Sequence, residues 1–188
     1  VYFMSIGASY GDEVLAANTI LLNFFLIFSH GIDGFAHSAE VLVGNSIGKK
    51  NKQTLNASIY STGKLSIYLM LFYILFFIFF SQDIIAFITS LEIVNVLSNR
   101  YMFYVYLIFV FATIAFWLDG VFIGAIEVKL LRNVMIIAGA AFFILETVLL
   151  GGDNDGLWLS FLIFFSLRSL FLSIFLYKYL KGNKFVEN

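Results

Sequence analysis

Between Lys64 and Asp83 the chain carries eighteen consecutive residues without a charge, and it does so again between Arg100 and Asp119. Nineteen more separate Glu13 from Asp33. Each run matches the roughly 20 residues that a helix needs to cross the hydrocarbon core of a bilayer. In that solvent every backbone N–H and C=O must find its partner within the protein, so only helices and closed barrels span it. The run LSIYLMLFYILFFIFF (65–80) decides between them, because it is apolar on every face and lacks the period-two alternation of a barrel strand. The expected fold is therefore all-α, a polytopic membrane helix bundle. Hydrophobic residues at 61% and a mean hydropathy of +0.95 leave no room for a soluble domain of this length.

Two further properties exclude function classes. A net charge of −1 argues against nucleic acid as a partner, and a chain without cysteine has neither a disulfide framework nor Cys-based metal or redox chemistry.

The pattern predicts a partial helix over 1–10 and five spans over 14–47, 65–89, 101–126, 130–150 and 157–180, joined by short linkers. GGDNDG (151–156) reads as a tight turn, and 48–64 as the longest connection. The opening VYFMSIGASYGDE reads as the tail of a helix, so the chain is expected to be a piece of a larger protein. The span over 14–47 would reach about 50 Å against a core of about 30 Å, so it should tilt, bend or run past the headgroups. Gly31 and Gly34 at its middle are where a bend would cost least. Lys49, Lys50, Lys52, Lys64, Lys129, Arg132, Lys178, Lys181 and Lys184 fall on one side of this topology, and only Arg100 on the other. The positive-inside rule then expects those loops and the C-terminus in the cytoplasm, in a plasma or inner membrane.

Against this background the segment HGIDGFAHSAEVLVG (30–44) stands out. At about 100° per residue, His30, Asp33, His37 and Glu40 share an arc of roughly 60° and form one polar stripe. A carboxylate in low dielectric has its charged form disfavoured, so it can load and release a proton or hold a cation. The alternative is an internal network in which Asp33 pairs with His30 or His37 and only fixes packing. A shared metal is the weaker reading, because the four groups spread over about 15 Å of helix axis. A second candidate is FWLDGVFIGAIEVKLLRN (116–133), where Gly120 and Gly124 form a G-x-x-x-G for close helix approach and Asp119 should face protein or a cavity. Glu127 reads as an interfacial charge. Arg168, near mid-depth in the last span, needs a carboxylate, with Glu146 or Asp33 able to serve.

Several of these pieces occur together in a known family. AAN (16–18), DGFAHSAEVLVG (33–44) with the following IGKK, and DGVFIGA with LRN downstream resemble the C-terminal half of a multidrug and toxic compound extrusion (MATE) transporter, in its DinF-like branch. The resemblance spans nearly the whole chain, 1–188. It implies one six-helix lobe of a twelve-helix transporter, with its first helix cut short and an N-terminal lobe as its missing partner. It also implies export of organic cations, drugs or dyes in exchange for H⁺ or Na⁺, with no other cofactor. Asp119 falls at the tenth-helix position where Na⁺-coupled relatives keep a cation-binding acid, and Asp33 and Glu40 match positions typical of this branch. The acid that the branch uses for proton coupling is on the first helix of the whole transporter, outside this sequence.

The expected function is thus a secondary antiporter exporting cationic or amphipathic compounds, with Asp33, Asp119, Glu40, His37 and His30 as ion- or substrate-binding residues. The alternative is a lipid or lipid-linked saccharide flippase of the same architecture, although such a cavity should be basic and Arg168 is the one intramembrane base. An enzyme is not expected. Ser29 and Ser38 adjoin the histidines in sequence, but adjacent residues on a helix point about 100° apart.

Overall fold

The computed structural model describes residues 2–182. Lys184 lies outside them. Six α-helices follow one another: α1 (Tyr2–Ser9), α2 (Asp12–Gly48), α3 (Lys52–Ile88), α4 (Glu92–Gly124), α5 (Val128–Ile144) and α6 (Asn154–Lys181), with a π-helical turn over Leu145–Leu149 extending α5. Five of these helical segments are long and apolar enough to cross a membrane.

Helix α4 sits at the centre, between α2 on one side and α6 on the other. α3 packs on α2 and α4, and α5 on α6, so these two form the flanks. The apolar-on-all-faces sequence of α3 suits that position, since Leu71, Phe72, Leu75, Ile78, Phe79 and Phe80 all point outward. Inside, Phe28 of α2 stacks on Phe109 of α4 with centroids 4.0 Å apart, and Phe24 stacks on Phe77 at 4.6 Å. A second, smaller core of Ala39, Val43, Leu55, Leu118, Phe122 and Leu172 lies toward the C-terminal end of α2.

Small residues let α2 and α4 meet. A Cβ on Gly120 would overlap the Ala36 carbonyl, and one on Gly124 would overlap the Glu40 carbonyl. The G-x-x-x-G of α4 is therefore filled by the backbone of α2. Gly31 has a different use from the one its position suggests. Helix α2 is unbroken from Asp12 to Gly48, and the space a Gly31 side chain would need is taken by the Tyr73 ring of α3, 2.8 Å away at its hydroxyl.

Two helices begin earlier than the hydrophobic pattern predicts. α3 starts at Lys52 instead of 65, because the Asn51 side chain accepts from Gln53 N–H and Thr54 N–H and caps a polar stretch that is helical before it is hydrophobic. At 37 residues it is about 55 Å long and so overruns the bilayer core. α4 likewise begins at Glu92 instead of 101. Hydropathy marks where a helix meets lipid, whereas the cap marks where it starts.

At the end of the lobe away from the lysine-rich loops, α4 and α6 are clasped by polar contacts. Arg100 pairs with Asp155 at 2.6 Å, and the Tyr101 hydroxyl donates to the same carboxylate at 3.3 Å. Nearby, Asn18 and Asn154 exchange amide hydrogen bonds of 2.7 and 3.1 Å while Trp158 Nε1–H donates to Asn18 at 2.9 Å. The last residue of the AAN motif is thus a buried tie between α2 and α6.

Candidate functional site

The periodicity of α2 places His30, Asp33 and His37 on the outside of the lobe, all exposed, with the Glu40 side chain 38% exposed at the end of the stripe. Ile32 and Ala39 between them, and Val43 one turn beyond, are buried in the core. His37 Nδ1 lies 3.4 Å from a Glu40 carboxylate oxygen. His30 Nδ1 instead lies 2.7 Å from the Leu26 carbonyl one turn back.

Close approach of α4 adds a second wall. Because α2 lies directly on Gly120, a depression of about 200 Å³ forms with Asp33, Ala36, His37 and Glu40 on one side and Phe116, Asp119, Gly120 and Ile123 on the other. Four of the five sequence-predicted residues, Asp33, His37, Glu40 and Asp119, line it together. His30 is not among the lining residues.

Asp119 bridges from this depression into the lobe. Its carboxylate forms a hydrogen-bonded ion pair with the Arg168 guanidinium of α6. The Arg168 side chain is 6% exposed and that of Asp119 25%. The partner of Arg168 is therefore neither Asp33 nor Glu146, the two acids expected from sequence. Glu146 is buried in the π-helical turn and accepts from the Tyr2 hydroxyl at 3.1 Å, at the junction of α1 and α5. Three rings complete the Arg168 environment: Phe116, Phe164 and Phe165 have centroids 5.6, 5.5 and 5.7 Å from its Cζ. Sequence reasoning did not single out these rings, since among 24 phenylalanines nothing marks the three that face a cation.

A further depression of about 320 Å³ opens on the other side of the pair, between Asp119, Ile123, Arg168 and the Val128–Met135 part of α5. Asp119 and Ile123 thus border both recesses, while Arg168 lines only the second. Neither serine beside the histidines is poised as a nucleophile. Ser29 and Ser38 each hydrogen-bond a carbonyl of their own helix, at 2.9 Å. Among the described residues no group of three or more His, Asp or Glu side chains is arranged to hold a metal ion.

Comparison with known proteins bears on what this lobe is. The MatE family profile matches residues 1–150. The chain belongs to the MatE family. It is 30% identical over 169 residues to the DNA damage-inducible protein F of Escherichia coli (strain K12), an alignment covering 89% of this chain. The chain spans 37% of the length of that relative. Its fold matches the crystal structure of the eukaryotic MATE transporter AtDTX14 with a TM-score of 0.71 at 16% identity, over 86% of this chain and 37% of that one. The family resemblance read from the motifs is shown by these matches. MatE family members are transporters, not enzymes, and the MatE chain here is a multi-pass membrane protein.

Proposed function

We propose that this MatE chain is one lobe of a secondary antiporter that exports cationic or amphipathic compounds in exchange for H⁺ or Na⁺. One observation carries the reading: the ionisable stripe of α2 lies on the outer face of the lobe, in the middle of an apolar span. Ionisable groups at membrane depth face protein or a water-filled cavity, not lipid tails. A second lobe is then required to cover Asp33, His37 and Glu40 and to enclose water with them. The depression shared with Asp119 becomes part of the central cavity, where carboxylates exchange a proton or Na⁺ for a cationic substrate.

The lysine-rich loops orient the lobe with its C-terminus in the cytoplasm of a cell membrane. A lipid-linked saccharide flippase is disfavoured on this reading, because pyrophosphate needs available cations and Arg168 is already held by Asp119.

The test is gradient-driven efflux of a cationic dye from vesicles containing the complete native protein. Asp33→Asn and Glu40→Gln alter exposed side chains, so both variants should fold and bilayer-insert normally while efflux falls by about tenfold or more, the scale of losing one strong charge interaction of ~1.4 kcal/mol. Efflux that is insensitive to imposed H⁺ and Na⁺ gradients would remove the antiporter reading. Gradient-driven efflux that is unchanged in both variants would instead remove the stripe from the site.

A further inference from the structure

We propose that the groove between α3, α4 and the end of α6 is a binding site for an anionic glycerophospholipid of the surrounding membrane. This inference is independent of the transport reading. At about 710 Å³ the groove is the size of a ligand site, and it is open along one side.

Its outer wall is an i, i+4 ridge of α3, formed by Lys52, Asn56, Tyr60, Lys64 and Tyr68, which succeed one another a turn at a time. Its floor is the parallel ridge Ile59, Gly63 and Ile67. Gly63 lets Trp117 of α4 close against this floor. A Cβ there would lie 2.7 Å from the indole of Trp117, which settles into the space and is held by an Nε1–H bond of 3.0 Å to Thr62 Oγ1. The result is an apolar trough with a tryptophan edge, two tyrosines and two lysines. Among the described residues no Asp or Glu lines it.

Depth along α3 sorts these groups as a phospholipid does. Lys52 to Lys64 covers about 18 Å of axis, so the ridge climbs from beyond the headgroups to the edge of the hydrocarbon core. Lys64 is the last charge before eighteen uncharged residues. Its ammonium lies 5.5 Å from the Tyr68 ring centroid, at the level where tyrosine and tryptophan concentrate in membrane proteins. Beyond it the groove runs into the outward apolar face of α3, with Ile67 and Leu71 both exposed. A phosphate at Lys64, Tyr60 and Asn56 would place the glycerol at Ile67 and an acyl chain along Leu71. The end of α6 closes the groove with Leu180, which Lys178 and Lys181 flank in sequence. An ordinary lipid-facing helix surface has the apolar strip but not the recessed floor or the cation row, and basic pockets between membrane helices are where acidic headgroups bind.

The experiment uses Trp117 as reporter in the complete native protein, reconstituted with brominated phosphatidylglycerol or brominated phosphatidylcholine. The Trp117 signal is the difference between wild type and Trp117→Phe, which subtracts every other tryptophan. Quenching by the anionic lipid should reach half its maximum at about a fivefold lower mole fraction than quenching by the zwitterionic one, the effect of one lysine near a phosphate. Lys64→Gln should erase that preference and Lys64→Arg should keep it. Equal quenching by the two lipids in wild type overturns the proposal, and this comparison needs no variant at Lys64 to fold. A preference that survives Lys64→Gln overturns it as well, because the selecting charge would then lie elsewhere.

Discussion

Asp119→Asn should be more damaging than Arg168→Met, although the two substitutions break the same ion pair. With Asp119 neutral, Arg168 remains as a guanidinium that is 6% exposed and cannot lose its proton. Removing one member of a buried pair costs about 3–5 kcal/mol. The faces of Phe116, Phe164 and Phe165 stay within 6 Å of the cation and keep some of its stabilisation, at about 0.5 kcal/mol or more each. The expected loss is therefore near the lower end, about 3 kcal/mol, or a fall in Tm of roughly 6–12 °C for a chain of this size. Arg168→Met leaves the opposite situation. Asp119 is a quarter exposed and borders two recesses, so water can reach it and it can be neutralised by a proton, for a loss of about 1–2 kcal/mol. The double variant Asp119→Asn/Arg168→Met removes the buried charge altogether and should be more stable than Asp119→Asn alone, since apolar or neutral replacement of a buried pair is often near neutral. Thermal unfolding of the four proteins in one detergent, followed by loss of the monodisperse gel-filtration peak, gives the cycle. A double variant less stable than Asp119→Asn would refute the reasoning, as would an Asp119→Asn protein with the wild-type Tm.

Two other substitutions test the packing. Gly120→Val places methyl groups where the Ala36 carbonyl lies, so α2 and α4 must separate, at a cost of about 1–3 kcal/mol; Gly34→Ala, with nothing within 4 Å of its Cβ, should be neutral or stabilising by up to about 1 kcal/mol. Equal Tm values for the two would show that the close approach carries no energy. Asn18→Leu strands the Asn154 amide and the Trp158 N–H in the core, and should cost about 2–4 kcal/mol, measurable as a lower midpoint in the same thermal assay.

The helical membrane character and the close contact at Gly120 and Gly124 were legible in the chain because each follows from local pattern: uncharged run length in one case, spacing of small residues in the other. The same holds for Asp119, whose position in an apolar span beside a G-x-x-x-G required it to face protein. Helix starts were less legible. The polar residues from Lys52 to Lys64 have no hydrophobic signature, and only the Asn51 cap shows that they are helical.

Pairing across helices was the part that local pattern did not contain. Arg100 and Asp155 are level with each other, being bonded, yet Asp119 lies nineteen residues along α4 and Arg168 only thirteen along α6 from that level. The six-residue offset is about 9 Å of helix rise, which depth counting reads as a mismatch. The pair forms nonetheless, so its assignment comes from how the helices pack and from the reach of an arginine side chain.

By itself the sequence determined the solvent, the helical character of the spans and the residue types able to carry chemistry there, because hydrocarbon admits no unpaired backbone and few charges. Only the tertiary structure decided that Asp33, His37 and Glu40 share a recess with Asp119, that His30 stays outside it, and that Arg168 belongs to Asp119. Those assignments depend on how far α2 sinks onto Gly120 and how α4 packs on α6, which are fixed by packing between helices and not by the order of residues within one.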